Sequence, residues 1–148
     1  MSPAAMVVVC ALNLLAPSAG QFPPIELTDV RPAAVSANAE AFARRDPDVI
    51  YLLTTSAVFR NAQWAESTQG RCRDREGLKK IASILVHEEW HLLNGPDERG
   101  AYAAQLTALT MLGAGPESRL HHSVKRSMQS VVDAAWQPVP ERTRLSRR

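Results

Sequence analysis

The chain has 148 residues and a mass of 16.2 kDa, enough for one domain and not for two. Apolar residues make up 45% and charged residues 22%, near the globular average, which excludes a collagen-like, coiled-coil or wholly disordered chain. A net charge of +2 gives no general electrostatic case for binding nucleic acid, and two cysteines cannot staple a disulfide-dense mini-scaffold.

Residues 1–20 contain no Lys, Arg, Asp or Glu, and residues 4–16 are mostly apolar. A run this short suits the core of a signal peptide better than a membrane span, which needs about 20 apolar residues. Ser18 and Gly20 are small enough to precede a cleavage before Gln21. The expected organisation is a signal peptide at 1–20, a domain at 21–137 and an Arg-rich tail at 138–148, with the mature protein exported and free of any stable membrane span. Cleavage would remove Cys10 and leave Cys72 unpaired. The competing reading of the same run is a buried N-terminal helix.

Residues 21–26 contain Pro23 and Pro24 and read as an extended lead-in. Residues 32–45 read as a helix with Pro in its first turn and mostly Ala inside. Asp46, Pro47 and Asp48 break it. Residues 49–55 are β-branched and aromatic and form the best strand pattern in the chain. Residues 56–65 suit a short helix capped by Thr55 or Ser56, and 66–74 a polar loop. From Arg75, Leu78, Ile81, Leu85 and Leu92 recur at helical steps. Asn94, Gly95 and Pro96 end that helix, and a second one follows at once with Ala101, Tyr102, Gln105, Leu109 and Leu112 on one face. Gly113 to Pro116 close it, and residues 117–136 suit a third helix. The fold class expected is α+β, mainly helical.

Chemistry is concentrated at His87-Glu88-Glu89-Trp90-His91, which fits His-Glu-x-x-His. On a helix, residues four apart lie on one face, one turn apart, so His87 and His91 can hold a single Zn²⁺. Glu88 lies about 100° round the helix, at the edge of that face, where it can reach a water without displacing it. It is the expected general base, and then the general acid toward the leaving amine. A catalytic zinc site needs a third protein ligand and an open position. After the reversal at Gly95 and Pro96, the returning helix brings Glu98 level with His91, on the face shared by Ala101, Tyr102 and Gln105. Asp97 points away and suits a helix cap. Asp97, His121 and His122 are the weaker alternatives for the third ligand.

Residues 81–112 resemble the gluzincin branch of zinc metallopeptidases, which carry His-Glu-x-x-His on one helix and a Glu ligand on the next. Glu98-Arg99-Gly100-Ala101-Tyr102 is similar to the Glu-x-x-Ala-aromatic ligand helix of small bacterial members. The resemblance implies a zincin-like fold, a peptide or protein substrate, Zn²⁺ held by His87, His91 and Glu98, and Glu88 as base. It also implies a strand beside the site that pairs with an extended substrate, and residues 49–55 are the candidate. The spacer between His91 and Glu98 is six residues, much shorter than in the large gluzincins. Tyr102 is a candidate donor to a ligand or oxyanion, Gln105 a candidate orienting group, His121 or His122 a candidate transition-state donor, and Trp90 a core or wall residue. The alternative function is a non-enzymatic helical binding protein with a structural or vestigial metal site.

Overall fold

The computed structural model describes residues 1–16 and 22–135. Among them are five helices and one small sheet, a mainly helical α+β architecture as expected. The helices are α1 (Pro3–Leu15), α2 (Ala57–Thr68), α3 (Arg75–Asn94), α4 (Glu98–Met111) and α5 (Arg119–Ala135), and the strands are β1 (Ile25–Thr28), β2 (Ala41–Arg44) and β3 (Val49–Leu53). Ser18, Gly20 and Gln21, where cleavage is expected, and the Arg-rich tail lie outside the described residues.

Helix α3 is the axis of the molecule, about 30 Å long at 1.5 Å per residue. It starts where Asp74 Oδ1 accepts from the backbone N–H of Gly77 at 3.1 Å, with Glu76 in the favourable first turn. It stops where Gly95 takes φ +104°, a value that costs a residue without Cβ little. Leu78, Ile81, Leu85 and Leu92, the periodic stripe of the sequence, are all buried. They join Phe59 and Ala62 of α2, Ile50 and Leu52 of β3, and α1 in one core. Helix α2 begins at Ser56, whose Oγ accepts from Phe59 N–H at 3.3 Å, which is one of the two caps expected.

The N-terminal run is part of that core in the full chain. Val7, Cys10, Ala11 and Leu15 of α1 are buried against α2 and α3, and Cys10 is disulfide-bonded to Cys72. An unpaired Cys72, the corollary of removing residues 1–20, is therefore not what the full chain holds. Glu66 of α2 fixes the same loop by accepting from the Cys72 N–H at 2.9 Å. No helix among the described residues is long and apolar enough to cross a membrane.

Residues 32–45 are not a helix. Their first part is a series of turns, in which Ser36 Oγ accepts from Asn38 N–H and the Ser36 carbonyl accepts from Ala39 N–H. Their end is β2, paired antiparallel with β3. Alanine's helix preference is worth only tenths of a kcal/mol per residue and is overridden by tertiary pairing. Here the pairing puts Phe42 directly opposite Tyr51, their rings stacked at 4.9 Å, with Arg44 laid over both. Asp46, Pro47 and Asp48 supply the hairpin loop, with a cis bond between Asp46 and Pro47.

The sheet order is β1-β3-β2, with β1 parallel to β3. The strongest strand pattern is therefore the central strand, and both of its edges are already paired. Residues 49–55, expected to pair with an extended substrate, therefore offer no free edge; β2 is an edge strand among the described residues and lies against α3. The Leu53 N–H donates to the Glu40 carbonyl at 3.0 Å, so residues 40, 42 and 44 spend their backbone groups on β3. By strand alternation, the N–H and C=O groups of Ala41 and Ala43 face outward.

Candidate metal centre

The α3–α4 turn is short because three local bonds close it. The Gly95 N–H donates to the His91 carbonyl at 2.8 Å, His91 Nδ1 meets the Gly95 carbonyl at 2.8 Å, and Asp97 Oδ1 caps α4 at the Arg99 N–H at 3.1 Å. Asp97 is thus a cap and not a ligand, as expected from its position on the helix. Arg45, just past β2, donates to the same His91 carbonyl at 2.9 Å and ties the sheet to the end of α3. Close approach of the two helices is permitted by Gly100. A Cβ there would stand 2.1 Å from the Trp90 ring.

Two imidazoles and one carboxylate converge as a result. Glu98 Oε1 lies 3.2 Å from His87 Nε2 and 2.5 Å from His91 Nε2. One donor atom from each of the three residues lies within 4.8 Å of the other two, and no other such group occurs among the described residues. Donors around a tetrahedral cation at about 2.0–2.1 Å stand roughly 3.3 Å apart. The His87–Glu98 distance already matches this, and the His91–Glu98 pair needs to open by under an ångström. His87, His91 and Glu98 are close enough to bind a metal ion.

The imidazole tautomers follow from a buried hydrogen-bond chain. Ser83 Oγ donates to the Lys80 carbonyl at 2.7 Å, which leaves its lone pair for the Gln105 Nε2 donor at 3.2 Å. The Gln105 Oε1 therefore faces His87 Nδ1, at 2.8 Å, and accepts a hydrogen bond from its N–H. The carbonyl of Gly95 imposes the same arrangement on His91 Nδ1. Both Nε2 atoms are left aimed at the shared point, the arrangement of a metal-ligating histidine with its other nitrogen held. Gln105 thus takes the orienting position expected of it. Ser83 was not singled out in the sequence, although it stands one turn before His87 as a polar interruption of an apolar stripe. Arg45 gives no sequence signal, since its contact spans 46 positions.

Charges at the site are strongly coupled. Hydrogen bonds from His87 and His91 hold the Glu98 carboxyl down at about 2, and the Glu98 bond in turn pushes His91 up to about 9. These two shifts share one interaction and count once. Burial pushes the Glu88 carboxyl above its usual range, partly offset by the imidazoles of His87 and His91 and reinforced by Glu98. Glu88 is buried, and its Oε2 lies 3.9 Å from His87 Nε2, beside the triad and outside it. The Tyr102 ring packs edge-on against His87 at 4.6 Å between centroids. Burial, then the charges of Glu98, Glu40 and Glu88, raise its phenol to about 12, so it remains a hydrogen-bond donor.

His121 and His122 take no part. His121 is buried, His122 is exposed, and neither lines the cavity or joins the triad. The cavity has a volume of about 720 Å³ and is floored by His87 and Glu88 of α3 and by Glu98, Tyr102 and Gln105 of α4. Its walls are Ser36 and residues 38–41, leading into β2, and part of α5. In comparisons with known proteins, no family model, no curated protein and no solved structure matches this chain.

Proposed function

We propose that the chain is a zinc-dependent, gluzincin-like metallopeptidase with a zincin-like domain at 21–137. The observation that carries this reading is the convergence of His87, His91 and Glu98 beside a buried, non-ligating carboxylate in an open cavity. A divalent ion there, zinc by its two-nitrogen, one-oxygen donor set, would polarise the scissile carbonyl and acidify a water. Glu88, with its pKa raised by burial, takes the proton at its carboxylate and delivers it to the departing amine nitrogen. Tyr102, protonated and facing the cavity, donates to the carbonyl oxygen as it gains charge. The outward backbone groups of Ala41 and Ala43 pair with an extended substrate, peptide or protein.

A structural site would need a fourth protein ligand, and none joins the triad among the described residues. Glu88→Gln tests the mechanism. It should retain one zinc per chain and lose hydrolysis of a peptide library by at least about a hundredfold. Retained turnover in that variant rejects the role of Glu88.

Two alternative observations support an exported protein: the uncharged N-terminal run, if it is removed as a signal peptide, or the Cys10–Cys72 bond, if α1 is retained, since such bonds persist in oxidising compartments. N-terminal mass analysis of protein from its host distinguishes a chain that keeps α1 from one that begins at Gln21.

A further inference from the structure

Strand β2 is pinned to α3 beyond both of its ends. Just before its first residue, Glu40 Oε2 pairs with Lys80 Nζ at 3.0 Å. Just past its last residue, Arg45 Nη2 donates to the His91 carbonyl at 2.9 Å. From residue 40 to 45 an extended chain spans about 17 Å, at about 3.3 Å per residue. From Lys80 to His91 a helix rises about 17 Å, at 1.5 Å per residue. The two lengths match, so both pins close with β2 laid alongside α3 and running in the same sense. Between the pins lie Ala41 and Ala43 on the strand, with their outward backbone groups, and His87 and Glu88 on the helix. Apolar side chains also join sheet and helix, Ala41, Ile50 and Leu52 meeting the Leu78–Ile81–Leu85 side of the core. Apolar burial is non-directional and sets mainly the separation of the two elements. The directed contacts at the pins set their alignment along the helix axis. One of those contacts falls on the backbone of a metal-donor residue.

Resting on the peptidase reading, we propose that Arg45 and the Lys80–Glu40 pair are positioning residues, which hold the open edge of β2 in register with the metal donors so that a substrate strand paired there is carried to the metal. A slip of one residue moves such a strand by about 3.3 Å and turns its side chains to the other face. An offset of about 1 Å at a reacting centre already costs about a hundredfold in rate. The pins therefore act on the substrate's alignment and not on the metal itself. When Arg45 is removed, the His91 carbonyl keeps its bond from the Gly95 N–H at 2.8 Å, and His91 Nδ1 keeps the Gly95 carbonyl. The α3–α4 turn and the three donors stay in place.

The test is equilibrium binding of hydroxamates to the full-length, zinc-loaded protein by titration calorimetry. Acetohydroxamate engages the metal alone. Two further series carry a tail of alanines able to pair with β2, one extended N-terminal to the metal-binding group and one C-terminal to it through a malonyl link. In the wild type, at least one series should bind about tenfold tighter than acetohydroxamate, as two backbone hydrogen bonds give. Which series does so identifies the direction of the substrate. Arg45→Ala should cut this gain to about threefold or less, and Arg45→Ala with Glu40→Gln should bring it to about one. Acetohydroxamate should bind all variants within about twofold, a split that general destabilisation would not produce. Arg45→Lys, which keeps a donor for the His91 carbonyl, should retain the gain, and unchanged thermal melting shows that the variants fold. No tail gain in the wild type, a gain that survives loss of both pins, or acetohydroxamate affinity that falls in step with the tail overturns the inference. Hydrolysis by the wild type is scored separately. Tail-dependent binding without hydrolysis refutes the peptidase reading and leaves the alignment standing. Failure of acetohydroxamate to bind the loaded wild type removes the open metal position, and both readings with it.

Discussion

Gly100 sits where α4 first meets α3, and replacing it with Ala sets two effects against each other. Its φ is not in the left-handed region, so the backbone accepts Ala, and the helix interior gains up to about 1 kcal/mol. The new methyl, however, would stand 2.1, 2.3 and 2.9 Å from Cζ2, Cη2 and Cε2 of Trp90. Relieving this requires about 1.3 Å of movement between the ring and α4, an overpacking that costs about 1–3 kcal/mol. The clash is deep, so Gly100→Ala should destabilise the protein by about 1–2 kcal/mol net. In a Trp90→Ala background the obstacle is gone, and the same change should be neutral or stabilising by up to about 1 kcal/mol. The coupling between the two sites should then be about 2 kcal/mol. Urea unfolding of the wild type, both single variants and the double variant measures it. Glu98 stands two residues before Gly100, so the single variant should also bind zinc at least about tenfold more weakly. A coupling below about 0.5 kcal/mol would refute the claim that Gly100 sets the distance between the ligand helices.

Gln105→Leu removes the acceptor of His87 Nδ1 and the donor to Ser83, so zinc affinity, read by competition with a chromophoric chelator, should fall about 10–100-fold. The metal-free protein has a definite pH signature. The His91 shift from 6.5 to about 9 gives stability that is complete below pH 6.5 and lost as pH rises through about 9. The Glu98 shift from 4.5 to about 2 gives stability that is present above pH 4.5 and lost as pH falls through about 2. Unfolding midpoints in chelator should therefore exceed those of His91→Ala most between pH 4.5 and 6.5. Because zinc must displace the His91 proton, apparent affinity should rise about tenfold per pH unit from neutrality toward pH 9. Reducing the Cys10–Cys72 bond opens a loop with a separation of 62 residues, which in the chain-entropy relation lowers stability by about 4 kcal/mol. Denaturant midpoints with and without reductant check this.

The three candidate metal donors were legible because their geometry is local. Two positions on one helix and a third just past a Gly-Pro reversal are fixed by helix pitch and a short turn, so His87, His91 and Glu98 could be placed before any tertiary contact was known. The buried stripe of Leu78, Ile81, Leu85 and Leu92 was legible for the same reason. The sheet was not. Ala41 to Arg44 carry a helical composition, and only the partner strand, through the Phe42–Tyr51 stack, makes them a strand. The apolar pattern of residues 49–53 signals a buried strand, but burial on both faces marks the centre of a sheet and not its edge. The role of α1 depended on which surface covers an apolar helix, a fact held by α2 and α3 and absent from the run itself.

The central claim is that two imidazoles and one carboxylate share one cation with a position left for water. X-ray absorption at the zinc edge of the stoichiometrically loaded protein tests it most directly. The account predicts one zinc per chain, four-coordinate, with two nitrogen ligands near 2.0 Å and the remaining contacts from oxygen. His91→Ala should remove one imidazole shell. A six-oxygen shell, an ion that binds equally well without His91, or no binding at micromolar zinc would contradict it.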